Sequence, residues 1–461
     1  MSDAIAASAS TAPVNNRREI LGWQLYDWAN SAFTTTVVAA LIGPYLTALA
    51  RAAANANGDV SLFGLIGVSA ESFFAYCTSL SVMLQVLFLP LLGGIADYTN
   101  LKKRLLMLFC VGGAVATMLL FFVQGNLYWL GGVLFILANL SFGASIVFYN
   151  AFLPEITTED QRDKVSSRGF ALGYFGGGVL LALNLALVQG AESFGLTTGL
   201  AVRISLASAG VWWLGFGLLS FARLRTRAAI HQLKPDEHYV TMGVRQISES
   251  FRELRRLPKT LQYLVSYLFF NDAIQTVIGL SSAFLAYELF VAKGLPEADA
   301  TPFLLTLVLL IQFVAFVGAL LFERIARVVG TKRAILLSLV IWSGVVIYAY
   351  GFLQTTTEAY VMGVVIALVL GGSQALSRAL FSRMIPAGRE ASFFGFYEIS
   401  ERGTAWIGSL VFAIVLDTTG SYRQAILSLI VLFLIGMAIL ARTDTRAAIE
   451  ESGNVPAATD R

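Results

Sequence analysis

The chain has 461 residues, of which 57% are hydrophobic and only 13% charged, with a formal net charge of +3. A soluble domain carries about 25% charged residues, so this composition excludes a soluble enzyme or binding module and describes an integral membrane protein. The small excess of Lys and Arg sits in short loops, which is a topology signal rather than a nucleic-acid footprint, and no nucleic-acid partner is expected.

The first residues, "MSDAIAASASTAPVNN", are low in complexity and lack the basic and apolar regions of a signal peptide. Residues 1–20 are expected to form a disordered cytoplasmic tail. A helix needs about 20 apolar residues to cross the hydrocarbon. Twelve stretches meet this: 21–50, 71–96, 104–124, 127–153, 167–190 and 203–222, then 260–290, 302–323, 333–354, 359–384, 393–416 and 422–441. The polar segment 223–259 divides them into an N-terminal half, 21–222, and a C-terminal half, 260–442, followed by a tail, 443–461. The expected class is therefore all-α, twelve membrane helices in two six-helix halves.

An even span count puts both termini on one side. Arg17, Arg18, Lys102, Lys103, Arg104, Arg162, Lys164, Arg168, Arg324, Arg327, Lys332, Arg333, Arg383 and Arg389 share that side with the basic central segment and C-terminus. Only Arg51, Arg203, Lys293 and Arg423 oppose them, and Arg378 and Arg402 fall within spans. The positive-inside rule then places both termini in the cytoplasm. In the central segment, "VRQISESFRELRRL" sets Val244, Ile247, Phe251 and Leu254 on one helical face. This pattern fits an amphipathic helix on the membrane surface and, equally, a solvated linker helix.

Cys77 and Cys110 both fall inside apolar spans, and the two histidines, His231 and His238, lie in the central segment. No HExxH, GxxxxGK[ST], GxSxG or paired-Cys motif occurs. Hydrolase, ATPase and metalloenzyme chemistry therefore lacks its usual residues, and neither an enzyme activity nor a metal or cofactor is expected.

The halves echo each other in register. Asp27-x-x-Asn30 in span 1 matches Asp272-x-x-Gln275 in span 7. "GGIADYTNLKKR" matches "ERIARVVGTKR", "NAFLP" matches "FSRMIP", and "SSRGF" matches "SFFGF", each at an offset near half the chain. Duplicated six-helix halves with a site between them near the midplane are the architecture of a secondary transporter.

The motif "GGIADYTNLKKR" resembles the loop 2–3 signature of the major facilitator superfamily: Gly93, Asp97 and the basic run Lys102–Arg104, with Asn100 where the second glycine usually stands. More specifically, "YDWANSAF", "FYNAFLP", "SSRGFALGYFGGG", "GGSQALSRALFSRMIP" and "FFGFYEIS" resemble the vacuole-effluxer family, over residues 20–440. The family is named for a fungal autophagy protein that exports amino acids from the vacuole. The resemblance implies the major facilitator fold, with helices 1 and 7 lining a central cavity. It also implies that helices 4 and 5 oppose helices 10 and 11 at the cytoplasmic gate, and that the loop aspartate, Asp97, docks on the N-terminus of helix 11. The second loop copy departs from the pattern, with Arg327 in place of an acid and Glu323 in place of glycine. Arg327 cannot occupy a helix N-terminus in that way, so the two gates are not expected to be equivalent.

An acid in a membrane span must face water, a partner or the bundle interior. Asp27, Asn30, Asp272, Gln275, Gln374 and Arg378 are therefore candidates for substrate or cation binding, the alternative for each acid being a buried structural group satisfied by a neighbouring Arg. Asp97, Tyr149, Asn150, Arg168, Glu398, Glu401 and Arg402 are gating candidates, with Arg168 expected to pair with Glu398 or Glu401; an intrahelical Glu398–Arg402 pair is the alternative. The glycines of span 5, Gly169, Gly173, Gly176, Gly177 and Gly178, read as helix-packing positions. Asn184 and Gln312 read as packing positions or interhelical hydrogen-bond groups.

The expected function is secondary active transport of a small polar solute such as an amino acid by alternating access, with proton or sodium coupling open, by a monomer in the lipid bilayer (the inner membrane if the source is prokaryotic). A zwitterion needs an anion for its ammonium and a cation for its carboxylate, and Asp27 or Asp272 with Arg378 supplies both. An exporter of amphipathic compounds or a lipid-linked glycan flippase on the same fold is the alternative, and a non-transporting scaffold or receptor is the alternative from another class.

Overall fold

The computed structural model describes residues 14–227, 239–296, 299–402 and 406–457, with the side chains at 239–244, 247, 402 and 406 left out. Twelve helical elements follow in chain order: α1 (Arg17–Ala52), α2 (Ala70–Asp97), α3 (Lys102–Phe122), α4 (Tyr128–Ile156), α5 (Glu159–Gln189), α6 (Thr198–Phe221), α7 (Pro258–Lys293), α8 (Ala300–Val329), α9 (Thr331–Gly351), α10 (Thr356–Arg383), α11 and α12 (Tyr422–Arg442). Helix α11 is described in two parts, α11a (Glu390–Arg402) and α11b (Trp406–Thr419). Eleven of the described helices are long and apolar enough to cross a membrane, and Ile407–Thr419 is a shorter apolar helix. The all-α, multi-span class read from the sequence is thus the class observed among the described residues.

The first helix begins inside the range assigned to a tail. Asn16 caps it, accepting from the N–H groups of Arg18 and Glu19 at 3.0 and 3.2 Å, so the chain is helical from Arg17. Residues 1–13 lie outside the description. Over Phe33–Leu41 the helix widens to π geometry. Pro44 follows closely; its missing N–H and its ring obstruct the regular ladder one turn back, and a wider turn accommodates both. Between α1 and α2 the chain forms a small antiparallel hairpin, β1 (Asp59–Leu62) and β2 (Ile66–Ser69), which the span count did not anticipate. Its turn needs two positive φ angles, 53° at Phe63 and 78° at Gly64.

Helices α1 to α6 pack among themselves, as do α7 to α12, and the two sets meet along α5–α8, α5–α10, α2–α11a and α4–α11a. The first of these contacts is apolar, Phe175 of α5 lying against Phe313 and Phe316 of α8. Small residues allow the α5 contacts with α1: a Cβ on Gly169 would meet Asp27 Oδ2 at 2.5 Å, and one on Gly176 would meet Trp28 at 2.7 Å. The packing role assigned to the α5 glycines holds at these positions.

The linker contains a helix, Tyr239–Arg256, that packs on α2 and touches α11a. Its buried stripe is Gln246, Ser250 and Leu254, whereas Phe251 is exposed. The apolar face read from the sequence is therefore not the buried one at Phe251; Val244 and Ile247 have side chains outside the description. The helix turns its Gln246–Ser250 hydrogen bond, 3.0 Å, inward, and Glu253 pairs with Arg389 of the 10–11 loop at 3.1 Å.

Candidate functional site

The halves are tied by a layered set of polar contacts on the face where the described chain begins and ends, the termini face. At its centre Arg378, from α10, reaches into the N-terminal half. Its Nη2 pairs with Asp27 Oδ2 at 3.2 Å and donates to the Ser166 carbonyl at 3.1 Å. Its Nε donates to Ser166 Oγ at 2.9 Å and its Nη1 to Asn150 Oδ1 at 3.3 Å. Three rings surround the guanidinium, with centroids 4.2 Å (Phe170), 4.7 Å (Trp23) and 5.4 Å (Tyr149) from its central carbon. Tyr149 donates its hydroxyl to Asp27 Oδ2 at 2.7 Å, and Trp23 stacks on Tyr149 while donating its Nε1–H to the Tyr149 carbonyl at 2.7 Å. A buried charge is tolerated only when paired and hydrogen-bonded, and both conditions are met here.

This arrangement answers why α1 keeps an acid. Asp27 lies about 15 Å along the helix from Arg17 by helix rise, inside the bundle, and its partner comes from the opposite half. The carboxylate and guanidinium proposed to take the two ends of a zwitterion are thus bonded to each other in this state. One turn from Arg378, Gln374 accepts from the Tyr174 hydroxyl at 2.6 Å, a second cross-half contact.

The pseudo-equivalent acid is held differently. Asp272 Oδ2 accepts from the Gly408 N–H, on α11b, at 2.6 Å. Its neighbour Asn271 donates to the Glu401 carbonyl at 3.2 Å, near the end of α11a. Asp272 is therefore bonded within its own half, to a backbone N–H. Asn30 is buried, and its Nδ2 has no hydrogen-bond partner among the described residues. Gln275, on α7, is partly exposed.

The gate lies below this centre. Asp97 accepts from the N–H groups of Ala391 and Ser392 at 2.9 and 2.8 Å, so the loop aspartate sits on the N-terminal turn of α11 as expected. The glycine one turn earlier makes the approach possible: a Cβ on Gly93 would lie 2.4 Å from the Ala391 carbonyl oxygen. Beside it Lys102 pairs with Glu155 at 2.6 Å. The second loop copy works in the opposite sense. Arg327 pairs with Glu323 on its own helix. The acid is instead on α5: Asp163 accepts from Thr331 Oγ1 at 2.7 Å and pairs with Arg383 at 2.7 Å. Arg383 is fully buried, and Arg162 donates to the Ser382 carbonyl at 2.9 Å.

Two gating expectations need correction. Arg168 is exposed, because its turn of α5 directs Gly169 and Ser166 inward and Arg168 outward; it does not join Glu398. Glu398 is buried and instead accepts from Asn150 Nδ2 at 3.0 Å, which links it through Asn150 to Arg378. Glu401 is partly buried, and the Arg402 side chain lies outside the description. Reversing the exposed charge, Arg168→Glu, is expected to leave transport within about twofold of wild type, as for a surface change of ~0.5 kcal/mol; a large loss in reconstituted vesicles would refute this placement.

Sequence reasoning missed Ser166, Phe170, Asp163, Arg162 and Arg383. The signal was present in "QRDKVSS" and "SRALFSR", where charged residues flank or enter apolar spans.

The model of a family described as "Vacuole effluxer Atg22 like" matches residues 15–453. The chain is 29% identical over 422 residues to an uncharacterized MFS-type transporter, YxiO, of Bacillus subtilis, covering 91% of this chain and 93% of the relative. It is 25% identical over 491 residues to Autophagy-related protein 22 of Kluyveromyces lactis, covering 97% of each. Among solved structures, the transporter FucP in the outward conformation superposes with a TM-score of 0.66 at 12% identity, covering 92% of this chain and 99% of that one. A bacterial homologue of the iron transporter ferroportin superposes at 0.62 with 15% identity, covering 93% and 99%. These likenesses establish the major facilitator fold.

Proposed function

The chain belongs to the Vacuole effluxer Atg22 like family, and from that premise we propose that this secondary transporter moves a small zwitterion of the amino-acid class by alternating access. The observation that carries the reading is the Asp27–Arg378 pair at 3.2 Å between the halves. The alternate state requires the halves to part on this side, and parting strands both charges. A zwitterion satisfies both at once, its ammonium on Asp27 and its carboxylate on Arg378, and so stabilises the open state specifically. A proton on Asp27 relaxes the pair by the same logic, which makes proton coupling a natural mode and sodium the alternative.

The Lys and Arg distribution supports a cytoplasmic placement of the termini face; we further take the transporter to reside in the inner membrane of a bacterial cell and to act as a monomer. The test is counterflow in proteoliposomes loaded with a panel of amino acids. Accumulation of at least one labelled amino acid against its unlabelled form is expected. No accumulation of any, with protein that is folded and inserted, overturns the reading.

One observation favours the alternative of an amphipathic substrate. A recess between α7, α8 and α10 is lined by Val277, Leu285, Leu307, Met362 and Ile366, with Ser281 as its polar member. Counterflow of amphipathic compounds in the same vesicles, without counterflow of amino acids, would select that reading.

A further inference from the structure

The contacts around Arg378 are one-sided. Every acceptor of its guanidinium named above, and every ring over it, belongs to the N-terminal half: Asp27 and Trp23 on α1, Tyr149 and Asn150 on α4, Ser166 and Phe170 on α5. The C-terminal half contributes the arginine. The N-terminal half therefore contains a built receptor for a planar cation: one carboxylate, one amide oxygen, one hydroxyl, one carbonyl and three aromatic faces. Its aromatic wall is held by bonds within the N-terminal half, whereas Asn150 and Ser166 also bond to Glu398 and the Ala375 carbonyl of the other half. Trp23 is fixed to the Tyr149 carbonyl, Tyr149 to Asp27, and both rings are fully buried. A carboxylate with aromatic faces is a recurrent way of binding ammonium and guanidinium groups.

We propose that this cage is a binding site for an organic guanidinium or primary ammonium group, occupied here by Arg378 as a resident stand-in and vacated when the halves separate on the termini face. The proposal rests on the transport reading above and deepens it: the substrate's cationic end displaces Arg378 from the N-terminal half, and Arg378 re-enters the cage when the substrate leaves, closing the gate. Substrate and arginine compete for one receptor, so loading and gate closure exclude each other. Access is from the termini face, because the Asp163–Arg383 and Asp97–Ala391 contacts that close that face lie between the cage and the loops.

The test uses guanidinium ion as the probe and the purified full-length protein. Arg378→Ala removes the resident side chain. Guanidinium chloride at low millimolar concentration is expected to raise the melting temperature of this variant by about 2 °C, as a ligand well above its dissociation constant does. Sodium chloride and urea at the same concentration should not, and neither should guanidinium with the double variant Arg378→Ala, Asp27→Asn. No selective rise in Arg378→Ala overturns the proposal. A second measurement covers the case in which that variant fails to fold. Ser382, buried in the closed gate, is changed to Cys in the otherwise wild-type chain, and labelling by a membrane-impermeant thiol reagent is followed. Methylguanidinium should speed labelling several-fold, and adding Asp27→Asn should abolish the effect; an unchanged labelling rate overturns the proposal. Because both readouts measure binding without transport, a failed counterflow assay with a selective melting-temperature rise or faster labelling rejects the transport reading and leaves the cage standing, and the converse result rejects the cage alone.

Discussion

Asp27→Ala is expected to abolish transport and to leave the termini face unable to seal. The change strands a guanidinium that is 4% exposed, and removing one partner of a buried pair costs about 3–5 kcal/mol. The closed state carries this cost; the open state, with Arg378 in water, does not. The closed population should therefore fall by a hundredfold or more, at ~1.4 kcal/mol per tenfold. Spin labels at Arg104 and Arg333, exposed positions on opposite halves, should report a longer distance than in the unsubstituted chain. The paired change Asp27→Asn, Arg378→Gln leaves no stranded charge. It is expected to recover the closed distance and the fold while transport stays absent, because neither end of a zwitterion then has a counter-ion. A closed distance in Asp27→Ala, or transport by the paired variant, would show that the pair is not the lock.

Asp163→Ala should open the gate more than Asp97→Ala does. The two acids sit on opposite sides of the two repeat-related contacts, Asp97 at the end of α2 and Asp163 near the start of α5, and hold different partners. Asp97 caps a helix with two N–H bonds, and loss of such a cap costs about 0.5–2 kcal/mol. Asp163 neutralises Arg383, which is fully buried, so its loss leaves an unpaired charge at about 3–5 kcal/mol. Labelling of Ser382→Cys from the termini face orders the two. Faster labelling in the Asp97→Ala background than in Asp163→Ala would reverse the assignment of the stronger gate. The sequence reading had found this asymmetry in the Arg327 substitution, yet the compensating acid is neither on that loop nor on its helix.

Much of this protein is written locally. Hydrophobic run length sets the membrane spans, because every backbone polar group in lipid must be bonded within its own helix. The Gly93-x-x-x-Asp97 motif announces its own contact: the glycine permits close approach and the acid, one turn later, meets N–H groups that any helix start leaves free. Glycine spacing in α5 likewise foretells tight packing against α1. Other features depend on which faces the folded halves turn toward each other, and composition does not carry that information. Arg168 and Arg162 look alike in sequence, six positions apart on one helix, but one faces outward and the other reaches Ser382 of the opposite half. Asp27 and Asp272 are matched by the repeat, yet one pairs with an arginine 351 residues away and the other with a backbone N–H of its own half. The sequence by itself determined that buried acids exist and roughly how deep they lie, since both follow from helix periodicity and the cost of charge in lipid. Only the tertiary structure decided their partners, because an ion pair between halves is a property of two surfaces brought together, and no local preference along either helix encodes the other.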